Sequence, residues 1–264
     1  MSNDSDRSGT VFAEERQAQV VEYVHKHKKA TVHDLTALCE VSSATIRNDL
    51  RVLERRGLLM RTHGGAMVAT KTRYEEALHE RHTHNLEQKQ GIANAALSLI
   101  EDGDTIILDT GTTVLELARL LHQKRNLTVV TNDIEIARVL LSANEDGTLI
   151  LIGGVVRKQF RCVTGSLSSA MLCGLLVDKA FMATNNFDLE KGASTPDLDQ
   201  ADIKKMMISV ASKRYLLCDH EKFGTQSFAR FATASEFDVI VSDRFEPKEL
   251  RLLEQLGVEA LSPH

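Results

Sequence analysis

Between Ser42 and Arg56 the chain spaces guanidinium and amide side chains as a helix would need to present them together. At about 100° per residue, Ile46, Leu50 and Leu53 share one face. Ala44, Asn48, Arg51 and Arg55 fall on the opposite face, with Arg47 beside them. Arginine can pair with guanine and asparagine with adenine in a major groove, and a small alanine fits against a thymine methyl. Ser43 and Thr45 can add phosphate contacts near the helix start, where unpaired N–H groups favour an anion. The bland alternative is a charged amphipathic helix with a solvated outer face, because short motifs recur by chance. The neighbours favour DNA. A short helix and tight turn precede this segment, and a glycine-containing hairpin carrying Arg61 and His63 follows it. That order is a winged helix-turn-helix, whose hairpin touches the adjacent backbone.

A second set of residues could hold a small anion. Asp102 to Thr113 reads as a strand, a tight turn and a helix start, with Asp109, Thr110, Gly111, Thr112 and Thr113 at the turn. Such a turn aims backbone N–H groups and hydroxyls at one spot. Two more apolar runs end in Thr131-Asn132 and in Gly153-Gly154, and a fourth is followed by Asp219 and Lys222. Each piece alone is weak, since Gly-Gly after a strand is usually only a turn. Four strand-end turns gathered at one edge of a parallel sheet make a ligand crevice. His79, His82 and His84 suggest a metal, but only His79 and His82 share a helical face, so a solvated segment is expected and no metal or cofactor.

The elements that must position these groups follow from periodicity. Helices are expected from Phe12 to His27, from His33 to Glu40, and from the N-cap Ser42 to Arg56, stopped by Gly57. Residues 57–66 read as a hairpin. Short apolar runs at Thr105–Asp109, Leu127–Thr131, Leu149–Ile152, Tyr215–Cys218 and Val239–Val241 alternate with helical segments at Val114–Leu121, Ile134–Leu141 and Ile203–Val210. Strands alternating with helices predict an α/β domain with a parallel sheet covered on both faces. The expected organisation is a disordered tail over 1–10, a winged helix-turn-helix over 11–70, a linker over 71–92 and an α/β ligand-sensing domain over 93–264.

Composition sets the bounds. The 264 residues suit two domains, and 42% hydrophobic residues can bury a sizeable core. The net charge of −5 argues against nucleic-acid binding over the whole surface, yet five arginines face only two acids between Ser42 and Gly65. Cys39, Cys162, Cys173 and Cys218 form no C-x-x-C pair and read as reduced core thiols of a cytoplasmic protein. No apolar run is long enough to span a bilayer, and Met1 to Glu15 lacks a signal-peptide core.

The run Val41-Ser-Ser-Ala-Thr-Ile-Arg-Asn-Asp-Leu50, with Leu53-Glu-Arg-Arg-Gly57 and Arg61-Thr-His-Gly-Gly-Ala66, resembles the N-terminal signature of the DeoR family of regulators. Asn48 stands where that family usually has a second arginine. Further pieces resemble the family's C-terminal domain: Lys89 with Ile92-Ala93, Asp109 to Thr113, Val130-Thr-Asn132, Gly153-Gly154, Asp178-Lys-Ala-Phe181, Met207-Ile208 and Asp219 to Gly224. The resemblance implies a sugar-phosphate-isomerase-like fold serving as a sensor of phosphorylated sugars. The phosphate would then sit at Gly111 to Thr113 and Lys222, and the sugar near Asp109, Asn132 and Gly153. Thr110, Asp133, Glu221, Gln200 and the Asn185-Asn186 pair depart from the family pattern. Two carboxylates, Asp133 and Glu221, would repel a nearby phosphate.

The expected function is a DNA-binding regulator, a repressor of a carbohydrate operon released by a phosphorylated-sugar inducer. Its partners would be a double-stranded DNA operator and a second copy of the chain, as homodimer or homotetramer, because one winged helix reads few base pairs. The rival is a sugar-phosphate isomerase with an added DNA-binding domain. Asp109, Asp219 and Lys222 could serve such chemistry, but the isomerases' acidic Gly-Ala-Asp-Glu stretch is missing.

Overall fold

The structure is a computed structural model that describes residues 9–27, 29–55, 58–62, 64–68, 75–76, 78–143 and 146–263. The chain divides into two compact units, residues 1–74 and 75–264.

In the first unit, helix α1 (Gly9–His27) leads through strand β1 (Lys29–Thr31) into α2 (Val32–Cys39) and α3 (Ser43–Arg55). Thr31 and Asp34 form a reciprocal capping box that starts α2. Glu40 ends it in a left-handed conformation, so only three residues turn the chain into α3. The Ser42 hydroxyl then accepts the Thr45 N–H and caps that helix. Strands β2 (Leu59–Thr62) and β3 (Gly65–Val68) make the expected hairpin, and β1 adds to it in the order β1-β3-β2. Gly65 is required there: a Cβ would fall 2.0 Å from the Ala30 carbonyl oxygen. Val20, Val24, Leu35, Ile46, Leu50, Leu53 and Leu59 form one small core. Burying each contributes about 1.5–3 kcal/mol.

In the second unit, α4 (Leu78–Thr83) and α5 (Leu86–Leu97) precede β4 (Thr105–Leu108), α6 (Thr112–Leu120), β5 (Thr128–Thr131), α7 (Ile134–Ala143) and β6 (Thr148–Leu151). A hairpin of β7 (Val155–Arg157) and β8 (Cys162–Thr164) then leads into α8 (Ser166–Leu172) and β9 (Val177–Ala183). Strands β10 (Asn186–Asp188) and β11 (Gly192–Thr195) are followed by α9 (Leu198–Ser209), β12 (Ala211–Leu217), β13 (Ala229–Ala232), β14 (Val239–Val241), α10 (Pro247–Leu256) and β15 (Glu259–Leu261). Seven strands form one all-parallel sheet in the order β15-β14-β12-β9-β4-β5-β6. A hydrophobic cluster lies on each face, one built on α5, α6 and α7, the other on α8, α9 and α10. The smaller antiparallel sheet β10-β11-β13 flanks the second cluster.

Three expectations change. The stretch read as linker to residue 92 is folded from Leu78 onward, and Lys89 and Ile92 are buried on α5 inside the second unit. A part-helical linker is what its polar residues suggest, but α5 buries alanines, an isoleucine and a lysine in place of an aliphatic stripe and so belongs to the core. Gly9 and Thr10, placed in the tail, belong to α1, and residues 1–8 and 71–74 lie outside the described residues. Cys173 is exposed, not core; Cys162 and Cys218 are buried.

Candidate nucleic-acid interface and ligand recess

On α3 the two faces separate as the spacing predicts. Ile46, Leu50 and Leu53 are buried, while Ser43, Ala44, Arg47, Asn48 and Arg51 are exposed and Thr45 is partly so. The helix is anchored by its one buried acid. Asp49 receives both Arg16 Nε at 2.7 Å and Gln17 Nε2 at 2.9 Å from α1, which fixes its rotation about its own axis. Its neighbours Arg47, Asn48 and Arg51 can therefore only point outward. On the hairpin, Arg61 is exposed and lies 3.5 Å from Glu54, and its backbone N–H donates to that same carboxylate. This ties the hairpin to the last turn of α3. His63 and the side chain of Arg55 lie outside the described residues. A positive helix face beside a tethered hairpin suits a groove and its flanking phosphates.

In the second unit a small recess lies where the sheet changes direction. From β4 the chain runs outward to β5 and β6, and from β9 it runs the opposite way to β12 and β14. The recess is bounded by Thr110 and Gly111 after β4, by Ala183 at the end of β9 with Thr184 and Asn185 after it, and by Gln200 and Lys204 of α9. Leu78 and Arg81 of α4 and Phe160 of the β7–β8 turn complete it. This is the topological switch point, where open parallel sheets bind ligands. Gly111 permits the tight fit, since a Cβ would lie 2.6 Å from that of Ala183. It also starts α6, whose first N–H groups and positive dipole end favour an anion.

The floor is an ion pair. Asp109 is fully buried and binds the Lys204 ammonium, the Ala183 N–H at 2.9 Å and the Thr110 N–H at 2.8 Å. Lys204 also donates to the Ala183 carbonyl at 3.0 Å. The hydroxyl of Thr113 and the side-chain oxygen of Asn132 are buried without a hydrogen-bond partner. Such orphaned groups are costly unless a ligand or water meets them.

The two extra carboxylates are occupied elsewhere. Asp133 accepts the Thr110 hydroxyl at 2.7 Å and the N–H groups of Glu135 and Ile136 at the start of α7. Burial nevertheless pushes its carboxyl above the usual range, against those hydrogen bonds. Glu221 is exposed and sits 3.2 Å from His84.

The remaining expected ligand residues stand apart from the recess. Gly153 and Gly154 pack on α8: the Ser168 hydroxyl donates to the Gly153 carbonyl, and a Cβ on Gly154 would lie 2.2 Å from that hydroxyl. Lys222 pairs with Asp219 at 3.5 Å. Nearby, Lys89 donates to the carbonyls of Arg81 and His84 at 2.5 Å each and closes the end of α4. Burial, then the charge of Lys222, lowers the Lys89 ammonium to about 8. Burial opposes ionisation of Asp219, but Lys222 and Lys89 outweigh it and hold that carboxyl below its usual range. Among the described residues, no group of three His, Cys, Asp or Glu side chains is placed to hold a metal ion.

Reasoning from sequence missed Arg81, Phe160, Thr184 and Lys204. One signal for Lys204 existed. Gln200 and Lys204 interrupt, four residues apart, the stripe that buries Ala201, Ile203, Met207 and Ile208 of α9. Polar groups inside a core stripe mark a site or a buried pair.

Residues 16–72 match the model of the DeoR-like helix-turn-helix domain, and residues 84–244 match that of the DeoR C terminal sensor domain. The chain belongs to the DeoR family. As a DeoR-family protein it is a DNA-binding transcriptional regulator, with α3 as the second helix of its helix-turn-helix. It is 35% identical to the lactose phosphotransferase system repressor of Staphylococcus aureus, over 89% of this chain and 93% of that protein. It is likewise 35% identical to the HTH-type transcriptional regulator GlpR of Haloferax volcanii, over 87% and 89% of the two chains. With GolR of Listeria innocua the identity is 32%, over 88% and 91%. Among solved structures, a D-ribose-5-phosphate isomerase in complex with phospho-erythronic acid overlays 52% of this chain and 54% of its own, at 18% identity and a TM-score of 0.39. No helix among the described residues is long and apolar enough to cross a membrane.

Proposed function

We propose that this DeoR-family protein represses a sugar-utilisation operon in the cytoplasm, and that a phosphorylated sugar bound in the second unit releases it from DNA. The observation that carries the effector half is the recess at the sheet's switch point. It joins a helix N-terminus, the Arg81 guanidinium and the buried Lys204–Asp109 pair. Phosphate suits the helix end and the guanidinium, and sugar hydroxyls suit Gln200, Asn185 and Thr184. Thr113 and Asn132 add buried polar atoms that have no partner.

DNA reading falls to Arg47, Asn48 and Arg51, with Ser43, Ala44 and Thr45 near the helix start and Arg61 and His63 on the hairpin. Specific affinity calls for two half-sites and so for a homodimer or homotetramer. The effector acts through its different affinity for the DNA-competent and released arrangements. Binding without turnover is the expected chemistry. Asp109, the best-placed base, is held by two backbone N–H donors and the Lys204 salt bridge, which leaves it no freedom to carry a proton.

The test is a gel shift on DNA upstream of the chain's own gene, titrated with a panel of sugar phosphates. One of them should dissociate the complex, and at 100 times its dissociation constant it should stabilise the protein by about 2.7 kcal/mol. A complex indifferent to the whole panel would reject the effector class.

A further inference from the structure

We propose that Arg81 and Arg157 form an oxyanion site at the rim of the recess, and that Glu75 is its built-in competitor, displaced when a phosphate group binds. The inference rests on the effector-released reading above and names the group through which release begins.

Glu75 is the first residue of the second unit. Its side chain is only 7% exposed and bridges two arginines from distant parts of the chain. One carboxylate oxygen accepts Arg157 Nη2 at 2.8 Å, and the other lies 3.7 Å from Arg81 Nη1, beyond hydrogen-bond reach. Neither side of this bridge is satisfied. That second Glu75 oxygen and Arg157 Nη1 are both buried without a hydrogen-bond partner.

A carboxylate that served only to clasp a half-buried arginine would take it as a two-pronged pair, and Glu75 takes neither arginine so. Here a single carboxylate faces two forks and saturates neither, whereas a phosphate offers more acceptor oxygens. Arg157 has one other carboxylate within reach, Asp197 at 3.7 Å, whose Oδ1 already caps α9 at Gln200. The geometry also reaches the recess. Arg157 stacks over the Phe160 ring at 4.3 Å, and Phe160 and Arg81 both line the cavity. An anionic group seated among them meets the two guanidiniums that hold Glu75. Loss of that anchor frees the point where the chain passes from one unit to the other.

Calorimetric titration of inorganic phosphate into the full chain tests the competition. Glu75→Gln keeps the side chain's shape but removes its charge, and is expected to bind phosphate at least fivefold more tightly than the wild type. Arg157→Gln is expected to weaken binding at least tenfold, with Arg157→Lys between the two. Asp197→Asn retains the helix cap and should tighten binding to a smaller degree, so it decides the question if Glu75→Gln fails to fold. Equal or weaker phosphate affinity in Glu75→Gln and Asp197→Asn overturns the proposal, as does the lack of uptake by any variant at millimolar phosphate. A gel shift on the same preparations separates the two levels. Normal DNA binding with a failed phosphate arm sinks the competition alone, whereas absent DNA binding sinks the repressor reading beneath it.

Discussion

The two units solve opposite problems with their polar residues. In the first, the groups proposed to read DNA stand in solvent on one helix, and their direction is fixed by the core behind them and by Asp49. In the second, the polar groups of the recess come from four separate segments and lie around a buried ion pair. A surface that reads a large partner can be written along one helix. A pocket that encloses a small one has to be assembled from many strand ends.

If that contrast is right, charge removal should unfold the second unit and disarm the first. Lys204→Met leaves Asp109 buried without its cation and should cost the second unit about 3–5 kcal/mol. Denaturant unfolding followed by a probe in that unit checks it, and a loss below about 1 kcal/mol would mean that the pair is dispensable. Leu50→Ala should cost the first unit about 2–5 kcal/mol through the cavity it leaves. A scan resolving two transitions should show only the first unit's midpoint fall.

Arg47→Ala and Arg51→Ala should each weaken operator binding by about 1–3 kcal/mol while leaving both midpoints in place. Gel-shift titration at fixed salt reads the effect, and unchanged affinity in both variants would remove α3 from the interface.

The smallest expected effect concerns Lys89. A base whose folded pKa is depressed costs stability while protonated, so its cost is full below about pH 8 and fades as pH climbs toward lysine's ordinary 10.5. Lysine side-chain NMR should find one ammonium titrating near 8, and Lys222→Met should raise that value. A value unmoved by Lys222→Met would separate the two lysines.

The same contrast explains what could be read in advance. The α3 pattern depends on neighbours three and four residues apart, and Ile46, Leu50 and Leu53 are buried and Ala44, Arg47, Asn48 and Arg51 exposed as it predicts. Strands β4, β5, β6, β12 and β14 announced themselves as apolar runs between turns. Strand β9, the middle strand of the sheet, did not. Its first residues are polar because Asp178 accepts the Thr105 N–H and Lys179 pairs with Asp104, contacts whose partners lie more than 70 residues away. The recess was half legible for the same reason. Thr110 and Gly111 sit in a recognisable turn, but Arg81, Phe160 and Lys204 become neighbours only once the sheet has closed.

The pairing of Ala30 with Ala66, tight enough that Gly65 cannot carry a side chain, has a consequence for recognition. It stitches the hairpin to the strand between α1 and α2, while the Glu54 contact stitches it to α3. Helix and hairpin therefore travel as one stiff piece. A reader that arrives already shaped loses little freedom on docking, so contact with DNA need not first order helix and hairpin against each other.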